Sequence, residues 1–83
     1  MTDMLEEKTP KQIQQSISAA FDSVNLINKI ILLTANNERK KLVNRNVEHL
    51  RIMLAKTWFD GGLTATERTT IGTSITNGDN YVN

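Results

Sequence analysis

The chain has 83 residues, with ten basic and nine acidic side chains, one histidine, no cysteine and a formal net charge of +1. That length makes one small domain, and without cysteine neither a disulfide framework nor a thiolate metal site is possible. Near-balanced charge gives no broad field for nucleic acid or a membrane surface.

Residues 1–8 are expected to form a frayed, acidic start, with residues 9–83 as a single helical domain. Residues 1–7 carry three acids and no base. MTDMLEEK lacks a basic stretch ahead of an apolar run, so it does not read as a secretory signal. The most apolar stretch, Phe21 to Leu33, contains Asp22, Asn25, Asn28 and Lys29, and nothing approaches the roughly 20 apolar residues that span a bilayer. The expected location is intracellular.

Thr9-Pro10-Lys11-Gln12 is a helix start. Threonine caps, proline takes the first helical position, and glutamine three residues on completes a capping box. A first helix is expected over about 10–34. Along it Ile13, Ile17, Ala20, Val24, Ile27 and Ile31 recur at alternating steps of four and three, which is the 3.5-residue coiled-coil seam. With Ile17, Val24 and Ile31 at a and Ile13 and Ile27 at d, isoleucine at both positions favours three or more helices over a dimeric zipper. Phe21, Leu26, Ile30 and Leu33 lie outside the seam. One partner helix cannot cover both stripes, so either a third element or another copy must pack there.

A second helix is expected over about 37–59. Val43, Val47, Leu50 and Leu54 share one stripe, Leu42 and Met53 widen it, and Trp58 and Phe59 extend it. Asn37 is the expected N-cap, with Glu38 in the first turn where the helix dipole favours an acid. Asp60-Gly61-Gly62 ends the run, with glycine expected in a left-handed C′ conformation. A short connection at about 35–37 makes the pair an antiparallel hairpin. The competing reading is one unbroken helix from 10 to 59.

Thr64 and Glu67 form a second capping box. A short third helix is expected over about 65–76, since Ile71 and Ile75 share a face. The segment is rich in threonine and contains Gly72, both poor helix formers. Asn77-Gly78 is the expected stop, followed by a polar tail with Tyr81 and Val82 as anchors. The fold class expected is therefore all-α, a helical hairpin plus a short third helix with coiled-coil-like packing.

Reactive chemistry is sparse. His49 is adjacent to Glu48, but neighbouring helical residues point about 100° apart and make no dyad. The bland reading of His49 is a half-buried boundary residue. No metal-binding spacing and no glycine-rich phosphate loop is present. These absences argue against an enzyme, and no cofactor is implied. Residues 39–56 hold six bases and one acid. Arg39, Lys40, Lys41, Arg45, Arg51 and Lys56 suit phosphates, and asparagines such as Asn44 and Asn46 suit adenine edges. A small helical nucleic-acid-binding regulator is the alternative reading. The leading expectation is a protein-interaction surface for self-association or docking, made of Ile13, Ile17, Phe21, Val24, Ile27, Ile30, Ile31 and Leu33 with Trp58 and Phe59.

The block ERKKLVNRNVEHLRIMLAKTWFDGGLT, then an isoleucine-containing helix and the ending NGDNYV, resembles small uncharacterised proteins of tailed bacteriophages that infect marine cyanobacteria. Arg45 to Leu50 and Ile52 to Lys56, with the aromatic pair after them, carry the likeness. It covers about residues 38–82. It implies a phage origin and a virion-associated or host-directed accessory role, and it transfers no functional residues.

Overall fold

A computed structural model describes residues 8–83, so the expected fraying of the acidic start falls, for residues 1–7, outside the described residues. The fold is all-α: α1 (Pro10–Ile30), α2 (Asn37–Leu54), the single turn α3 (Thr57–Asp60) and α4 (Ala65–Val82).

α1 begins as its capping box requires. Thr9 Oγ1 accepts from the Gln12 backbone N–H at 3.1 Å, and the Thr9 N–H donates to Gln12 Oε1 at 3.0 Å. The helix is shorter than expected. It stops at Ile30, the Leu33 N–H closes a last turn on the Ile30 carbonyl, and residues 34–36 cross over to α2. The cap of α2 is Asn36 rather than Asn37, with Asn36 Oδ1 accepting from the Arg39 N–H at 2.8 Å. Asn36 is extended (φ −147°), and that extension breaks any continuous helix from 10 to 59. α1 and α2 therefore pair as a hairpin. A hydrogen bond between Ser23 and His49, 26 residues apart, fixes their antiparallel register.

The expected second helix over 37–59 is two pieces, because α2 ends at Leu54. Helical geometry supplies the reason. Phe59 lies nine residues after Leu50, so an unbroken helix would turn it about 180° from the buried face. The break at Ala55-Lys56 swings Phe59 inward until it is fully buried. Gly61 is not left-handed (φ −68°), and no glycine among the described residues has positive φ. The glycine that matters here is Gly62, where a Cβ would sit 2.6 Å from Ile13 Cγ2, so the turn packs directly on α1.

α4 opens on the expected capping box between Thr64 and Glu67. It does not stop at Asn77-Gly78 but runs on to Val82, so the expected polar tail is helix. Gly78 is buried at the crossing of α4 over the hairpin, where a Cβ would collide with Val47 Cγ2 and touch Val43 and Ile27. Absence of a side chain lets the backbones approach, and that contact outweighs the roughly 1 kcal/mol a mid-helix glycine costs. Ser74 donates to Asn28 Oδ1 at 3.1 Å, and Tyr81 Oη donates to the Leu33 carbonyl at 3.0 Å. α4 thus runs parallel to α1 and antiparallel to α2, closing an up-down-up bundle. The core at its axis is Ile17, Ala20, Val24, Ile27, Ile30, Val43, Val47, Leu50, Phe59, Leu63 and Ile71.

Candidate docking surface

Most of the side chains expected to bind a partner are spent inside the chain. Ile17, Val24, Ile27, Ile30 and Phe59 are core residues, while Ile13, Phe21, Ile31 and Trp58 are half-buried against them. The physical reason is α4. It supplies the third element that the surplus on α1 demanded, so the seam is covered within one chain. Trp58 meets the Phe59 ring edge-on at 6.2 Å between centroids and carries Lys8 Nζ 5.4 Å from its own centroid. It plugs the bundle end. Of the expected partner residues only Leu33 remains exposed, at 49 %.

Other large apolar residues are exposed as well. Leu26, Leu32, Leu33, Leu42 and Ile52 are the exposed large hydrophobics of the described residues. The Ser23–His49 bond locates three of them. On α1 the stripe Ala19, Asp22 and Leu26 lies on the side of Ser23 away from α4, at helical steps of three and four, while Leu33 lies in the turn beyond the end of α1. On α2, Leu42, Arg45, Glu48 and Ile52 follow His49 on the same side. α4 approaches from the opposite side, through Asn28 on α1 and through Val43, Val47 and Arg51 on α2. The back of the hairpin is therefore a two-helix face of leucines and an isoleucine set among charges. Leu26 was legible in the sequence as surplus. Leu42, expected to widen the buried stripe of the second helix, instead stays exposed on the side away from α4, and Ile52 carried no signal beyond helical spacing, which identifies a face only once the position of α4 is known.

The expected phosphate-binding bases do not gather. Arg39 donates from Nη1 to the Thr34 carbonyl at 2.8 Å and so braces the connection. Arg51 donates to Glu48 at 3.1 Å and pairs with Asp79 of α4. Lys40 is half-buried, and Asn46 donates to the Leu42 carbonyl of its own helix. Lys41 and Arg45 do share the back face, with Lys29 beside them on α1; none of the three makes an ion pair among the described residues.

His49 is half-buried, with Nδ1 3.1 Å from Ser23 Oγ. The pair lies between the hairpin helices, and Ser23 is only 6 % exposed. The bond pins the register of the hairpin. Among the described residues no group of three His, Cys, Asp or Glu could hold a metal ion, and no helix is long and apolar enough to cross a membrane.

Comparison with families of known proteins, with curated proteins and with solved structures finds no match. Fold and surface together define a small all-α bundle with one helix-pair face left uncovered.

Proposed function

We propose that the protein is a non-enzymatic interaction module of a bacteriophage that docks by the back of its α1–α2 hairpin, in assembly or as an accessory component. The carrying observation is the exposure of Leu26, Leu42 and Ile52, which helical spacing puts on that one face. Isolated exposed apolar residues are ordinary, whereas an aligned set rimmed by charge marks an interaction surface. The likeness of residues 38–82 to phage proteins supports the setting. Native mass measurement of complexes recovered from infected cells tests the reading. The wild-type chain should appear in stoichiometric complexes or on particles, and Leu42→Asp should be lost from them. A chain found only at its own monomer mass sinks the proposal.

A second reading, nucleic-acid binding, draws on Lys29, Lys41 and Arg45 lying near one another. Under it, DNA affinity falls steeply with salt, and the slope becomes shallower in Lys40→Ala/Lys41→Ala. Affinity without such a slope removes it.

A further inference from the structure

We infer that Asn77-Gly78 is a self-modification site: when the end of α4 opens, Asn77 deamidates, and the product cannot close again on the hairpin. The inference is independent of the docking face.

The chemistry starts from the sequence. This is the single Asn-Gly dipeptide of the chain. Asparagine is among the thermally labile side chains, and a following glycine, having no Cβ, lets its backbone nitrogen approach most easily. The Gly78 nitrogen attacks Asn77 Cγ. The new C–N bond closes a five-membered succinimide, and the side-chain nitrogen leaves as ammonia with the proton of the Gly78 amide. Water, the co-reactant, then opens the ring at either carbonyl. Opening at the backbone carbonyl leaves isoaspartate, with the main chain running through the side-chain carbons. Opening at Cγ leaves aspartate.

The fold decides when this happens. α4 spans Ala65–Val82, so the Gly78 N–H belongs to the helical ladder and points at the carbonyl of residue 74. Ring closure needs Cβ, Cα, C and that nitrogen nearly coplanar, and helical ψ of about −42° holds them far from it. Asn77 is exposed while Gly78 is buried, so the amide is wet but its attacker is withheld. Two contacts with the hairpin keep this end closed. Tyr81 Oη donates to the Leu33 carbonyl at 3.0 Å, and Asp79 pairs with Arg51.

The place of the modification is the second ground. Isoaspartate lengthens the main chain by one methylene and adds a carboxylate. Gly78 is where Val47, Val43 and Ile27 close on α4, without room even for a Cβ. An extra main-chain atom just before it cannot keep both the helix and the crossing in register. The new charge stands two residues from Asp79, near a helix C-terminus, where the dipole opposes acids. A reversible opening thus becomes a lasting loss of cover over the α1 seam. Asp60-Gly61 can form the same ring, but the Asp60 carboxylate accepts from Arg68 Nε at 2.8 Å, and an ionised carboxylate is a poor electrophile.

Incubation of the full chain in mildly alkaline buffer, followed by peptide mapping, tests the inference. Isoaspartate should appear at position 77, about tenfold or more slowly than in the unstructured peptide of residues 74–80. Tyr81→Phe/Arg51→Ala, checked for helicity by circular dichroism, should speed conversion about two- to tenfold, since it removes both holding contacts and leaves the dipeptide untouched. Asn77→Gln should not convert. The isoaspartate form, separated by its added negative charge, should melt below the wild type, whereas Asn77→Asp, which adds the charge alone, should melt close to it. Conversion as fast as in the peptide, or a rate unchanged by Tyr81→Phe/Arg51→Ala, overturns the inference. So does an Asn77 still intact in both proteins once the peptide is consumed, or an isoaspartate form that melts with the wild type.

Discussion

The same two helices, α1 and α2, present two faces of opposite character. Towards α4, Val24, Ile27, Val43, Val47 and Leu50 are almost wholly buried. Away from α4, Leu26 and Leu42 each keep 36 % exposure and Ile52 keeps 56 %. The two sets differ little in residue type. They differ in whether a third helix lies over them, so burial here follows from topology and not from side-chain hydrophobicity alone. The regular seam on α1, which reads as a coiled-coil interface, is consumed within the chain. What remains for a partner is the less regular stripe beside it.

The contrast predicts unequal responses to substitution. The largest effect is expected for Ile27→Asp. Ile27 is fully buried with no base at hand to pair a carboxylate, and an unpaired buried charge costs several kcal/mol or more. In a domain this small that exceeds the stability available, so circular dichroism should show loss of the folded state. Gly78→Ala should come next. Overpacking against Val47 and Val43 costs about 1–3 kcal/mol, set against about 1 kcal/mol of gained helix propensity. The valines are stiff and enclosed, so urea denaturation should show a net loss. Gly72→Ala in the same helix should do the opposite. Nothing lies within 4 Å of its Cβ position, so only the propensity gain of about 0.5–1 kcal/mol remains. The smallest effect is expected for Ile52→Ser on the back face, within about 0.5 kcal/mol. A loss of 2 kcal/mol there would abolish the distinction between the faces.

The local signals in the sequence translated directly. Both capping boxes are present, the hairpin forms, and the seam from Ile17 to Ile27 is buried. What the sequence concealed were positions whose state depends on a distant neighbour. Asn77-Gly78 has the composition of a helix stop, yet the helix continues because Val43 and Val47, some thirty residues earlier, need a bare backbone to pack on. Phe59 looked like an extension of the α2 stripe, but a nine-residue step from Leu50 points the other way on a straight helix. Only a break could bury it. The candidate surface was hidden for the same reason. Periodicity groups Leu42 with Arg45 and Ile52, but nothing local says which stripe of α2 the last helix will cover. The bases of α2 were legible as a cluster in sequence, whereas Arg39 and Arg51 are engaged by Thr34 and Asp79, one across a turn and one across the bundle.

The composition of α4 bears on the order in which the molecule assembles. Threonine recurs along it, and it carries both Gly72 and Gly78, so in isolation it has little tendency to coil. Its helicity therefore depends on packing against the hairpin, which is expected to act as its template. The reverse is expected on loosening: α4 should open first, and its amides should exchange with solvent ahead of those at the centre of α1. Each such opening strips the cover from the isoleucine seam at one stroke, so the most adhesive surface of the chain is guarded by its least self-sufficient segment.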